Sequence, residues 1–449
     1  MKLNRLLDLK YWGTTRLLTV GFAFVILLGT LLLMLPISTR SGSGINFLDA
    51  MFTSTSATCV TGLSLFDIYT KLSFFGQVVL LILIQVGGLG FIMVMVLFSL
   101  ATHRRIGLRE RSLLADGVGS LQLTGVVRMA RRIILGTALF EGIGAALLAA
   151  RFVPRFGFGE GLWISLFHSV SAFCNAGFDL MGIVKPSSSL TLYYDDPVVV
   201  ITIGMLIIFG GIGFVVWTDL MDCNFKVKKV GYHTKVVVIS TLVLLIGGTL
   251  LFFITEKNAS MQGMNLGNRL LSSFFQSVTP RTAGFNTVDI SSLSGAGKLL
   301  TMFLMFVGAA PGGTGGGIKV TTFVVILATA YASQTNKNDT VVGQHRIHTD
   351  AVKKAFCTVS SYMGLIFIGT FIICAQGTSL VGSAFECVSA IGTVGLSTGV
   401  TASMTGLSKM VLILLMYTGR LGSLTVFLAM SGCESKGGLR NPVGKLLVG

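Results

Sequence analysis

Charge is what this sequence has least of. Asp, Glu, Lys and Arg make up 12% of its 449 residues, where a soluble globular chain carries about 25%. With 52% hydrophobic residues and a positive mean hydropathy, this excludes a soluble domain and indicates an integral membrane protein. Acids are scarcer than bases, 18 against 34, for a net charge of +16. Cysteine pairing is missing too. The seven cysteines form no CxxC, and Cys174, Cys374 and Cys387 sit inside apolar segments, which excludes a disulfide framework and a metal site. A signal-peptide cleavage site is also absent. The first apolar run, 17–37, follows Lys2, Arg5, Lys10 and Arg16, runs on to Pro-Ile-Ser-Thr, and reads as a retained helix.

What is present is a short stretch that recurs. Thr58-Cys59-Val60-Thr61-Gly62-Leu63 returns in its last letters as Thr393-Val394-Gly395-Leu396. Looser echoes stand at Asn175-Ala176-Gly177-Phe178 and Thr282-Ala283-Gly284-Phe285. Each glycine has a phenylalanine ten residues before it (Phe52, Phe167, Phe274, Phe385), and the glycines recur every roughly 110 residues, which marks an internal repeat.

Membrane-length apolar runs lie at about 17–37, 74–100, 131–150, 197–218, 234–255, 298–331, 352–375 and 408–431. The glycine loops fall between members of these pairs, in segments too short to span. Irregular backbone survives at membrane depth only where protein buries it or it lines a watery cavity. The expected fold is therefore an all-α polytopic membrane protein with eight transmembrane helices. It comprises four tandem helix–re-entrant pore loop–helix repeats around a pseudo-fourfold pore. The repeats are expected at 17–100, 131–218, 234–331 and 352–432, joined by cytoplasmic linkers 101–130, 219–233 and 332–351. Tails 1–16 and 433–449 are also cytoplasmic. This orientation follows from basic residues, which crowd one side (Arg104, Arg105, Arg128, Lys228, Lys229, Lys353, Lys354), while acids such as Asp67, Asp179 and Asp289 lie on the loop side. The surplus positive charge is thus a topology signal facing lipid or an acidic partner, and not a nucleic-acid footprint.

The loops suggest cation chemistry. A permeating cation must exchange water for oxygen ligands, and backbone carbonyls supply these without trapping the ion. Glycine reaches the required dihedrals without steric cost, and T-V-G matches the core of potassium-channel filters. The candidate filter is Val60, Thr61 and Gly62; Asn175, Ala176 and Gly177; Thr282, Ala283 and Gly284; Thr393, Val394 and Gly395. Their backbone carbonyls are the expected potassium ligands. Two features inside apolar runs break the simple pattern. Residues 308–317, Gly-Ala-Ala-Pro-Gly-Gly-Thr-Gly-Gly-Gly, cannot hold a regular helix. Gly312, Gly313, Thr314, Gly315, Gly316, Gly317 and Lys319 therefore belong to a loop that splits the run inside the membrane, and Arg420, an intramembrane arginine, by default marks a functional path with a partner. Arg281, in the third loop, is expected to point away from the ion path and bond carbonyls behind the loop.

Other motifs carry less. Gly312 to Lys319 lacks the Gly-Lys-Ser/Thr order of a phosphate-binding loop. Gly395-Leu396-Ser397-Thr398-Gly399 matches a nucleophile elbow, with no base in place. His168 and Glu386, each one residue after a repeat phenylalanine, are read as pore-helix hydrogen-bonding groups, and Glu141 as a buried, paired acid.

On these motifs, with Thr279-Pro280-Arg281-Thr282-Ala283-Gly284-Phe285, the whole chain resembles the membrane subunit of the Trk/Ktr/HKT potassium transporter superfamily, most closely the bacterial Ktr type. The resemblance implies potassium uptake across the plasma membrane and no enzymatic activity or cofactor. Potassium is then the substrate, with sodium as a candidate activator or coupling ion. It also implies a homodimer with one pore per protomer, a cytoplasmic ring of nucleotide-binding (RCK-type) regulatory subunits, and a gate at 308–319 opposite Arg420. Relatives with serine for the first-loop glycine tend to pass sodium, so Gly62 implies potassium selectivity. The alternative is a sodium- or proton-coupled cotransporter, favoured by inverted repeats and paired broken helices. Here the repeats share one orientation and a single broken helix is expected, which favours a fixed pore.

Overall fold

The computed structural model describes residues 14–90, 126–224, 226–423 and 425–426. Most of the N-terminal tail, nearly all of the 101–130 linker and the 433–449 tail, with the basic residues they contribute to the topology, lie outside these ranges.

Four times over, the chain makes a long helix, a shorter helix, a stretch with at most single helical turns such as Ile68–Lys71, and a further helix. The first unit is α1 (Thr14–Met34), α2 (Phe47–Thr58) and α3 (Phe74–Leu89). The second is α4 (Val126–Phe156), α5 (Phe158–Phe173), α6 (Pro197–Gly211) and α7 (Phe214–Asp222). The third is α8 (Tyr232–Thr255), α9 (Leu266–Val278), α10 (Gly295–Phe306) and α11 (Val320–Gln334). A two-strand hairpin, β1 (Val341–Val342) with β2 (His345–Arg346), leads to the fourth: α12 (Thr349–Ala375), α13 (Leu380–Gly392) and α14 (Gly406–Leu421). Among the described residues α1, α4, α8 and α12 contain the four stretches long and apolar enough to cross a membrane. Their outward side chains stay apolar, as Leu139 (61% exposed), Val243 (64%) and Phe367 (73%) illustrate.

The local chemistry explains where helices start. An N-terminal amide without a partner is costly in apolar surroundings, and a capping side chain is worth about 1 kcal/mol. Ser73 Oγ accepts Gly76 N–H (3.2 Å), Asn265 Oδ1 accepts Asn268 N–H (2.7 Å), Ser294 Oγ accepts Gly297 N–H (2.9 Å) and Ser379 Oγ accepts Gly382 N–H (3.2 Å). Asp196 caps α6 through Val198 N–H (3.1 Å) and also faces Arg151 of α4 at 3.5 Å.

Small residues let each long helix approach its shorter partner, the device that replaces hydrophobic drive between membrane helices. Ser54 of α2 donates to Ile26 O (2.7 Å), Ser169 of α5 to Glu141 O (2.6 Å) and Ser277 of α9 to Leu245 O (2.9 Å). A Cβ on Gly29 or Gly144 would come 2.5 Å from the Ser54 or Ser169 hydroxyl, and Gly248 faces Ser277 in the same way. In the fourth unit Gly369 faces Cys387 instead.

Two features depart from the sequence reading. The third unit is slipped by one residue. Phe52, Phe167 and Phe385 are fully buried, but there the buried ring is Phe275, while Phe274 is only half-buried. The pairing serine moves with it, to seven residues before the glycine instead of eight. Secondly, 308–317 is not the single break. α6 and α7 meet at 88°, because Gly213 takes φ +96° between them, a conformation open to glycine.

Candidate functional site

The four expected loops meet in a closed ring. A Cβ built on Gly62 would strike Ala176 O, one on Gly177 Ala283 O, one on Gly284 Val394 O, and one on Gly395 Thr61 O. Each glycine therefore faces the carbonyl that precedes the glycine of the next loop, and the fourth loop returns to the first. All four glycines have positive φ (90°, 69°, 84° and 91°).

The residue two before each glycine is left-handed as well: Val60 (57°), Asn175 (59°), Thr282 (77°) and Thr393 (51°). For a non-glycine residue this costs roughly 1–2 kcal/mol. The helix ends offset it. Val60 N–H bonds Ala57 O (3.1 Å) and Thr61 N–H bonds Ser56 O (2.7 Å), the paired bonds of a Schellman cap. Asn175 and Ala176 repeat the pattern with Ala172 and Ser171, and Thr393 and Val394 with Ala390 and Ser389. The slipped third loop differs: Ala283 N–H bonds Thr279 O (3.0 Å) and Arg281 N–H bonds Val278 O (3.1 Å). The Asn175 amide lies 3.0 Å from Thr282 Oγ1 and ties the second loop to the third.

Hydroxyls then hold the chain at three of the four glycines, while Ser56 Oγ, the equivalent group in the first loop, has no partner among the described residues. Ser171 Oγ donates to Phe178 O (2.7 Å), Thr279 Oγ1 to Phe285 O, and Ser389 Oγ accepts Gly395 N–H (3.1 Å). On one side of the ring these outgoing limbs enclose a vestibule of about 440 Å³, lined by the four glycines and by Asp67, Asp179 and Asp289.

The glycine-rich stretch packs against the ring away from the vestibule. Its ends are joined by Gly308 N–H to Ile318 O (2.9 Å) and Val320 N–H to Ala309 O (3.2 Å). Gly315 packs on the Thr282 hydroxyl, and Gly316 N–H donates to Thr393 Oγ1 (3.0 Å), so the stretch lies directly against the third and fourth loops. Gly312 O accepts Phe214 N–H (2.9 Å) at the α6–α7 break, and Thr314 N–H donates to Gly210 O (3.1 Å). Gly313 packs beside the Gly210 and Gly211 carbonyls, and Gly317 N–H reaches Gly419 O (3.3 Å) on α14. Lys319 Nζ donates to Gly315 O (2.7 Å). Arg420 donates to Thr314 O on one side and to Gly87 O and Gly88 O on α3 on the other. It thereby straps the stretch of the third unit to the first.

The remaining candidates fall outside this axis. Arg281 points back between α6 and α8, with Nη2 3.4 Å from Thr241 Oγ1, a hydroxyl where a carbonyl was expected. Ser397 Oγ donates to Glu386 (2.6 Å), so an acid does stand beside the elbow-like serine, contrary to the sequence reading; that carboxylate also accepts Thr398 N–H and Thr401 Oγ1 and anchors the limb. Glu141 accepts from Gln85 Nε2 (3.2 Å), in place of an arginine or backbone partner. No cluster of metal-ligating side chains occurs among the described residues.

A comparison with known families decides the class. Residues 15–436 match the family described as TrkH, cation transport protein. The chain belongs to the TrkH family. As a member of this cation-transporter family it is not an enzyme. Its relatives include the potassium/sodium uptake protein NtpJ of Enterococcus hirae, 38% identical over 94% of this chain and 93% of that protein. Another is the Ktr system potassium uptake protein B of Bacillus subtilis, 38% identical over 97% and 96%. In fold the chain is similar to the crystal structure of the potassium transporter TrkH from Vibrio parahaemolyticus, with TM-score 0.72 at 18% identity, covering 91% of this chain and 84% of that one. Within this TrkH-family chain, sequence reasoning missed the left-handed residues before each glycine. It also missed the glycines 29, 144, 248 and 369, of which only Gly29 and Gly144 keep one distance, 33 residues, to their loop glycine.

Proposed function

We propose that this chain is the ion-translocating subunit of a Ktr-type potassium uptake system, with a channel-like pore through the loop ring. The observation that carries this reading is ring closure, in which each loop's glycine sits against the next loop's carbonyl. Four such loops present a collar of uncharged oxygens, as cation selection requires. Val60, Thr61 and Gly62 with their counterparts at 175–177, 282–284 and 393–395 are the filter. Helices α2, α5, α9 and α13 end at it with their negative poles inward. The acidic vestibule is the outer mouth, and 308–319 with Arg420 is the gate beneath. In this reading the four units are eight spans with re-entrant loops and cytoplasmic termini. The names of the relatives, potassium uptake proteins of the Ktr and NtpJ type, agree with it.

The resemblance adds a homodimer and a cytoplasmic nucleotide-binding ring, which would act on the gate from the cytoplasmic side. Sodium- or proton-coupled potassium cotransport is the second reading, favoured by the second broken helix at α6–α7. Growth of an uptake-deficient host at low external potassium tests the main proposal. The chain is expected to restore growth, and normal membrane expression without rescue would refute it.

A further inference from the structure

Two buried polar side chains occupy one repeat position and make the same unusual bond. His168 of α5 and Glu386 of α13 each follow the repeat phenylalanine, and both are fully buried. His168 Nε2 accepts the backbone N–H of Leu180 (3.4 Å), three residues beyond Gly177. Glu386 Oε1 accepts the backbone N–H of Thr398 (3.0 Å), three residues beyond Gly395. In chemically different ways, the second and fourth loops are thus tied at equivalent points. The first unit has Thr53 at this position, whose hydroxyl turns back to Asp49 O (2.9 Å). After the slip the third has Gln276.

The surroundings make both ties directional. His168 Nδ1 lies 2.8 Å from Ile164 O, so that nitrogen carries the proton and Nε2 is left as the acceptor. Its ring lies 6.1 Å from the ring of Phe285, the residue after the third-loop glycine, and so bears on two loops. Glu386 also accepts from Ser397 Oγ (2.6 Å) and, at its other oxygen, from Thr401 Oγ1 (2.6 Å). Three residues of the outgoing limb converge on one carboxylate.

We infer that His168 and Glu386 are positioning residues that fix the outgoing limbs of the second and fourth filter loops, and so set the spacing of carbonyls across that diagonal. The inference rests on the filter reading above. Neither side chain touches the ion path; each acts through the backbone limb it holds. Removing the acceptor orphans a buried N–H and lets the limb relax, so discrimination between ions falls while conduction persists.

The test is paired substitution in proteoliposomes, measuring the sodium-to-potassium flux ratio and maximal potassium flux separately. His168→Phe keeps the ring packing and deletes the acceptor; the ratio is expected to rise about tenfold, the scale of one orphaned buried hydrogen bond. His168→Gln offers an amide oxygen to Leu180 N–H and is expected to regain most of the discrimination. Glu386→Leu and Glu386→Gln repeat the comparison independently in the fourth loop, and carry the test if His168→Phe does not fold. Gly177→Ala serves as the filter control. If the ratio is moved by Gly177→Ala but not by His168→Phe or Glu386→Leu in folded protein, this inference alone is overturned. Acceptor-deleting and acceptor-keeping variants that behave alike also overturn it. A ratio unmoved by Gly177→Ala overturns the filter reading, and this inference with it.

Discussion

At the scale of single residues, backbone sign decides more than side-chain identity. Gly62 has φ +90° and its α-carbon faces Ala176 O with no room for a Cβ. Serine there adds strain of roughly 1–2 kcal/mol and pushes one quarter of the ring outward. Gly62→Ser is therefore expected to raise the sodium-to-potassium flux ratio by at least about tenfold, since 1.4 kcal/mol is a factor of ten; an unchanged ratio in tracer uptake removes that loop from the filter. The vestibule adds a pH response. Burial pushes the Asp179 carboxyl up to about 7, against the Met181 N–H it accepts (3.0 Å) and with the nearby Asp67 charge adding to the rise. A raised value means that the neutral acid gains as pH falls through 7, so the mouth loses negative charge on acidification. Half-saturating potassium is expected to rise about twofold between pH 8 and pH 6 at low ionic strength, where such charges are least screened. Asp179→Asn should flatten that profile; an equal slope in the variant would assign the effect elsewhere. The glycines themselves were visible in the sequence. The left-handed Val60, Thr282 and Thr393 were not, because β-branched residues give no local sign of that conformation and only the helix caps enforce it.

At the scale of elements, hydropathy found the helices and missed their interruptions. The run 197–218 reads as one span, yet Gly210-Gly211-Ile212-Gly213 lets it turn through 88°, since a window average records apolarity and not dihedrals. The glycine-rich 308–317 was legible because six glycines and a proline crowd ten positions. What it binds was not legible, since carbonyl and amide partners on α5, α6, α14 and the filter loops come only from the packing. In the proposed reading that packing makes the stretch a gate held by Arg420, which joins Thr314 O to Gly87 O and Gly88 O. Each charge-assisted bond of this kind contributes about 1.5–3 kcal/mol. Deleting 312–316, or Arg420→Gln, should then raise potassium flux several-fold in proteoliposomes. Equal or lower flux from correctly inserted protein would show that the stretch does not close the pathway. The slip in the third unit has a similar moral. Phe274 keeps the ten-residue spacing in the sequence, but Phe275 fills the core, because the loop beginning Thr279-Pro280 reaches its glycine one residue sooner.

At the scale of the whole molecule, the question is whether the ring and the strap form a fixed pore with a gate or half of an alternating cycle. Alternating access rocks one repeat bundle against another around a central site. Here every unit gives one loop to a single closed ring, and each glycine is wedged against the next loop's carbonyl, so no unit can move as a body without breaking the collar. In the proposed reading the moving parts are the 308–317 stretch and the α6–α7 bend, which bond to each other through Gly312 O and Phe214 N–H on one side of the ring. Motion confined to one side opens a gate but does not alternate access. The two arrangements differ in what drives flux. For a gated pore in liposomes, potassium movement should stop at the potassium equilibrium potential, whatever sodium or proton gradient is imposed. For a cotransporter that zero-flux point shifts with the coupled gradient. We expect no shift when sodium and pH gradients are varied separately at fixed potassium, although sodium could still change the rate as an activator. A shift that tracks either gradient would mean that ring closure does not hold through the transport cycle, and would make the second broken helix part of the coupling machinery.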